Sequence, residues 1–289
     1  MVNTTYSCEM ERRLLLLDVI RGLAIFFVLV SHVLQYYDSK LISQHGLPGV
    51  YYVTLGGFGV TLFIILSGMV TEYNYRGEKS LIFFIKRVKR IYSNYWVSLL
   101  LAIPLIGGYK VPADKLDSLL NVTGLMVFTG REWGESYILP TGWFIGVILS
   151  LYLLFPLLSK LMDKKKNTTL FALFLLSLCF RYYSERYWLS YRPSDWFPLC
   201  RLFEFGLGIY LIKNNNILNF LSRFNTKSSM LIYLSAMSFP AYLIHWPLLT
   251  VISLYPGSIS IVFFFASTFI LSYLIFYIDK YVQGKIFRF

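Results

Sequence analysis

Asp18, Arg21 and His32 lie inside one apolar run, LDVIRGLAIFFVLVSHVLQYY, from Leu17 to Tyr37, which is long enough to cross a bilayer. A charge at the centre of a membrane helix costs roughly 2.5–3.5 kcal/mol on insertion scales, so ionisable groups there call for a use. Read as a helix, Arg21 and His32 are about 20° apart around the axis and about 16 Å apart along it. Asp18 precedes Arg21 by one turn on the same face, where the two can pair. A neutral imidazole so placed can take a proton from a hydroxyl. The blander alternative is that Asp18 and Arg21 neutralise each other near one interface while His32 sits at the other.

Four other places could carry chemistry. In FFIKRVKRIYSNYW, Phe83 to Trp96, the cations Lys86, Arg87, Lys89 and Arg90 crowd among aromatics. They anchor a helix at the cytoplasmic face, or Arg87 and Arg90 grip phosphates through charge-assisted bonds. Trp143 follows a Pro-Thr-Gly turn at the start of the run ending at Leu158, as a belt residue or a sugar-stacking platform. Arg201 and Glu204 form an i,i+3 pair read as structural. In SFPAYLIHWPLL, His245 and Trp246 precede Pro247, which interrupts a helix; His245 is favoured as an interior hydrogen-bonding residue over a partner of the site. His45 lies in a loop and signals nothing.

The elements that must position these residues are membrane helices. Near-spanning apolar runs occur at Leu14–Leu34, Tyr51–Met69, Ile91–Ile106, Gly142–Leu161, Thr168–Tyr183, Trp196–Ile212, Leu231–Leu254 and Ser258–Ile278. With both termini cytoplasmic, eight spans put eighteen of the 27 Lys and Arg on the inner side and seven on the outer. Counting Leu116–Phe128 as a ninth crossing destroys that asymmetry, so it is read as an outer amphipathic or re-entrant segment. The expected fold is an all-α polytopic transmembrane bundle of about eight spans, eight to ten being possible. It forms one membrane domain over 1–289 with no appended soluble domain.

Composition excludes the soluble classes: 56% of the residues are hydrophobic, 19% are aromatic and the mean hydropathy is +0.58. The net charge of +12 is then topological bias and attraction to anionic lipid rather than a nucleic-acid footprint. No cleavable leader is expected, because the first run is too long and carries charges. Cys8, Cys179 and Cys200 are scattered, so neither a disulfide framework nor a metal site is expected. No phosphate-cradling glycine loop, HExxH or GxSxG occurs. The Asn-x-Thr triplets at Asn3, Asn121 and Asn167 are read as chance, with only Asn121 facing outward.

Taken in order, LDVIRGLAIFFVLVSHV, GVTLFIILSGMV, FIKRVKRIYSNYW, GWFIGVILSLYLLFPLL, RLFEFGLGIYL and SFPAYLIHWPLL resemble the integral-membrane acyltransferase-3 family, mostly bacterial sugar and polysaccharide O-acetyltransferases. The Arg-x10-His spacing of Arg21 and His32 is the most specific element, and Arg87-Val-Lys-Arg90 looks like the family's Arg-x-x-Arg motif for acyl-CoA. The chain departs from the family at Ile148 and Leu149, where many members carry a glutamate pair, and in lacking a span between Ile212 and Leu231.

The resemblance implies transfer of an acetyl group from cytosolic acetyl-CoA to a hydroxyl of a cell-surface or lipid-linked sugar. His32 would act as base or acetyl carrier, Arg21 as donor-orienting cation and Asp18 as its support. Lys86, Arg87, Lys89 and Arg90 would lie at the CoA, and Trp143, Tyr152 and His245 at the substrate. No metal or nucleic acid is expected, and the location would be the cell membrane, in lipid. The rival from another class is a transporter of a glycan or lipid-linked oligosaccharide without covalent change. Against it stand the lack of an inverted repeat and the presence of a base on the first helix. A sensory receptor has no positive sign.

Overall fold

The computed structural model of the chain describes residues 15–45, 50–75, 77, 79–106, 114–129, 137–187, 193–223, 229–252 and 258–286, with backbone alone at 36–45, 50–54, 193, 229, 258, 285 and 286. Cys8, Asn3 and the cations Arg12, Arg13, Arg76, Lys110, Arg131, Arg192, Lys227 and Arg288 lie outside the described residues, as do the side chains of Lys40, His45 and Lys285.

Among the described residues every regular element is a helix. Apolar runs in lipid close their backbone hydrogen bonds within the segment, which favours helices over open sheets. We number them α1 (Leu15–His45), α2 (Val50–Asn74), α3 (Ser80–Ile106), α4 (Lys115–Thr123), α5 (Trp143–Tyr187), α6 (Pro193–Trp196), α7 (Leu202–Ile212), α8 (Asn215–Ser222), α9 (Ser229–Ile252) and α10 (Ser258–Ile286). Five stretches, in α1, α2, α5, α9 and α10, are long and apolar enough to cross a membrane by length and composition.

α5 is two limbs. Lys165, in the run Asp163-Lys-Lys-Lys-Asn167, leaves helical geometry at φ −147° and ψ 69°. Thr169 Oγ1 donates to the carbonyl of Leu161 at 3.2 Å, a pairing eight residues apart that a continuous helix cannot make. Met162 before the break and Leu173 after it both abut Gly206. The chain therefore turns back on itself at a run of three lysines.

Side-chain pairs fix the helix directions. Gly56 meets Ser31 and Gly59 meets Val28, so α2 runs against α1. Thr61 bonds Arg201 and Glu72 bonds Lys213, so α7 runs along α2. Phe83 stacks on Phe155 at 5.0 Å, while Tyr95 lies against Gly142; the first limb of α5 thus runs against α3. The second limb opposes α7, with Ser177 accepting from the Phe203 N–H and Ser184 bonded to Cys200. α9 runs with α1, pairing Ser235 to Asp18 and His245 to His32. Small residues permit the closest crossings: at Gly68 and Gly208 the backbones of α2 and α7 touch, leaving no room for a Cβ on either.

Two polar features close the ends. Lys213 Nζ bonds Glu72 at 2.8 Å and Asp163 at 2.5 Å. Burial opposes the charge of Lys213, but the bonds to the two carboxylates prevail and hold its pKa above the ordinary lysine value. The expected outer segment is α4, whose nine residues span only about 13 Å. Asp114 caps its start, accepting from the Asp117 N–H at 2.7 Å, and Gly124 ends it in the left-handed region at φ 66°. Its last carbonyls, on Asn121, Val122 and Thr123, accept from Tyr95 at 2.6 Å, Trp96 at 3.0 Å and Tyr92 at 2.8 Å. Those three rings sit mid-way along α3, so α4 doubles back beside it. Asn121 is buried, and its Oδ1 accepts from the Ile138 N–H at 2.8 Å.

Candidate active site

Two polar clusters join α1 to α9, one at each end of their shared seam. At the first, Ser235 donates to Asp18 Oδ1 at 2.5 Å and accepts from Arg21 Nη1 at 2.8 Å. The direct Asp18–Arg21 pair is longer, at 3.5 Å, so the buried serine completes it. Asp18 is 8% exposed, and an unpaired carboxylate there would be costly. Ser235→Ala is therefore expected to lower stability by about 1–3 kcal/mol, the cost of an orphaned buried acceptor. Thermal midpoints in detergent check it, and Ser235→Thr should stay close to wild type.

At the second cluster, His32 meets His245 and Trp246, each with ring centres 5.0 Å away. His32 Nδ1 lies 2.9 Å from the carbonyl of Val28, and His245 Nδ1 lies 2.7 Å from that of Tyr242. A carbonyl only accepts, so each Nδ1 carries the hydrogen and each Nε2 presents a lone pair. His245 is fully buried, and its Nε2 has no hydrogen-bond partner among the described residues. His32 is partly exposed. Its Nε2 makes no hydrogen bond among the described residues.

Proline chemistry positions the wall opposite. Pro247 has no N–H for the carbonyl four residues back, on Leu243. That carbonyl accepts instead from Thr141 Oγ1 at 3.1 Å, within the 3-10 turn Pro140–Gly142. The turn delivers Trp143 as the first residue of α5, and Phe144 stacks on Tyr242 at 5.3 Å. Tyr242 also faces His245 at 5.8 Å and Phe63 at 6.1 Å.

The basic run lies toward the other end. Tyr152 is two turns along α5 from Phe144, about 12 Å, and is displaced toward the Asp18–Arg21 end because α5 opposes α9. Arg87 stands over the rings of both Tyr152 and Phe83 at 5.4 Å. Lys86 and Arg90 are exposed, while Arg87 and Lys89 are half-buried. Cations and imidazoles thus occupy separate levels of one bundle.

Arg201 and Glu204 form a third group. Glu204 Oε1 accepts from Arg181 at 2.6 Å and Arg201 at 3.1 Å. Arg201, 4% exposed, also bonds the Asp195 carbonyl and Thr61. This cluster ties α2, α5, α6 and α7 together. A surface hollow of about 620 Å³ beside it is lined by Arg181, Tyr182, Glu185, Arg186 and Ser194; a second, about 330 Å³, is lined by Asn167, Leu170 and aromatic residues of α5 and α7. Neither hollow is lined by His32.

The structure therefore brings His32 to His245 and Asp18 to Arg21, and it brings Arg87 to Tyr152. Trp143 stands at the α5 entrance on the imidazole side. Ser235 and Tyr242 were missed from the sequence. The available signal was spacing: Ser235 precedes His245 by ten residues, nearly matching the interval between Arg21 and His32 on the helix running beside it.

A bundle of apolar helices that encloses an ion pair and a pair of imidazoles is the architecture of a multi-pass membrane protein. A family model described as an acyltransferase domain, acyltransferase-3, matches residues 14–225. The chain belongs to that family and is a membrane acyltransferase. The match includes His32, Arg21 and the basic run but ends before α9. No curated protein and no solved structure is matched by the chain.

Proposed function

We propose that the protein transfers an acetyl group from cytosolic acetyl-CoA to a hydroxyl of a cell-surface or lipid-linked sugar, in a bacterial cell membrane. The observation that carries this reading is His32, whose Nδ1 is committed to Val28 and whose Nε2 is free. Eight membrane crossings with cytoplasmic termini are part of the proposal. The alternating directions of α1, α2, α3, the two limbs of α5, α7 and α9 support them. So does the cationic turn at Asp163–Asn167, placed where the inner face falls.

In this reading acetyl-CoA enters from the cytoplasm with its phosphates at Arg87, Arg90, Lys86 and Lys89. Arg21, held by Asp18 and Ser235, orients the donor as it reaches inward, and the thioester arrives near His32. His32 Nε2 takes the proton of the acceptor hydroxyl as its oxygen attacks the acyl carbon. Trp143 and Tyr152 supply aromatic faces, a common platform for sugar rings, and His245 stands behind the base.

The test is transfer of radiolabel from acetyl-CoA to surface glycan in membranes carrying the protein. Label is expected on the glycan. In Arg87→Ala with Arg90→Ala, the KM for acetyl-CoA should rise at least tenfold with kcat changed less. Transfer of no label to any of the host's glycans would remove the acetyl–sugar assignment; an unchanged KM would remove the phosphate role of the two arginines.

A further inference from the structure

We infer that His245 is a positioning residue for the base, holding the proton that His32 has taken until the sulfur claims it. The inference rests on the acyl-transfer reading above. Three observations carry it. His245 is fully buried yet leaves Nε2 without a donor, an arrangement that costs free energy unless another state fills it. Its ring centre is 5.0 Å from that of His32, close enough that the rings, once turned to face each other, bring one nitrogen of each within hydrogen-bond range, about 3 Å. Finally, both Nδ1 atoms are bound to backbone carbonyls, so both Nε2 atoms are acceptors and the resting rings cannot bond to each other. One added proton changes that. The orphaned nitrogen marks its place.

The reaction supplies the proton. The acceptor oxygen forms its bond to the acyl carbon, and the carbon–sulfur bond breaks with its electron pair leaving on the CoA sulfur. The hydroxyl proton passes to His32 Nε2. Once acylated, the acceptor oxygen is a poor partner for the new imidazolium, whose Nε2–H then donates to His245 Nε2. The thiolate finally takes that proton, leaving both rings neutral and His245 orphaned again. His245 itself gains and loses no bond beyond this hydrogen bond, and it touches no substrate.

The experiment compares His245→Asn, His245→Leu and His245→Gln in the acetyl-transfer assay, at equal folded protein judged by thermal midpoint in detergent. Asparagine keeps a donor toward Tyr242 but has no acceptor at the Nε2 position; leucine has neither; glutamine extends an amide oxygen toward that position. The Asn and Leu variants should lose about 10²-fold in kcat with KM for acetyl-CoA within twofold, consistent with loss of support to a general base. Glutamine should recover at least tenfold of that loss. Wild-type kcat in either Asn or Leu overturns the inference, as does a Gln variant no better than Asn. His32→Gln run alongside separates the two levels: if it too transfers normally, the base assignment itself has failed.

Discussion

His32→Gln is expected to lower kcat for acyl transfer by about 10²–10⁴-fold, the usual contribution of a positioned general base. Glutamine fills similar space and gives up only the Nδ1 bond to Val28, so the fold should survive with its thermal midpoint little changed. What it lacks is proton affinity: an amide does not take a hydroxyl proton near neutral pH. The KM for acetyl-CoA should move little, because the cations assigned to the donor sit one level away, at Arg21 and Arg87. Turnover within tenfold of wild type, at matched amounts of folded protein, would remove His32 from the chemistry. The same result would return the intramembrane charges to a role in structure or transport.

Gly208→Val should be the most destructive single change to the fold, at about 3 kcal/mol or more. A Cβ on Gly208 runs into the Ile65 carbonyl and the Met69 nitrogen, and backbone cannot swing aside as a side chain can. α7 must then lift from α2, which strains the Arg201–Thr61 bond at one end and the Lys213–Glu72 bond at the other. Gly206→Ala is the control. Its obstacles are the Leu173 Cδ1 and Met162 Cε atoms, both ends of flexible chains, so about 1 kcal/mol is expected. Thermal unfolding in detergent compares the two, and equal losses would show that the α2–α7 crossing is not the tight point of the bundle.

How much of this was legible depended on how local the cause was. The helices and the stripe of Asp18, Arg21 and His32 follow from hydropathy and the helical repeat. So does the Pro-Thr-Gly start at Trp143, whereas the reading of Leu116–Phe128 as an outer segment came from the distribution of Lys and Arg. Ser235 was invisible because a serine in an apolar run is unremarkable until a second helix places a carboxylate beside it. The link from Pro247 to Thr141 joins residues 102 apart in the Leu243–Thr141 bond, a distance no periodicity spans. His245 showed the same limit: its residue type suggested chemistry, but only packing against His32 distinguished an orphaned nitrogen from a satisfied one. The burial of Asn121 was equally invisible, because its carbonyl is taken by Tyr95 of α3 and its amide by Asp117 and Ile138.

The two clusters between α1 and α9 also constrain how the molecule can move. Arg21–Ser235 and His32–His245 lie about 15 Å apart along parallel helices. Sliding one helix past the other proceeds in steps near one turn, about 5.4 Å. Such a step would break the ion pair's serine bridge and the imidazole contact together. The seam is a girder rather than a bearing. A rocking cycle that opens the bundle alternately to each side by shear along α1 and α9 would have to break both clusters at once. Any breathing that admits a ligand must use parts hung from the girder, such as α4 with its three ring-held carbonyls.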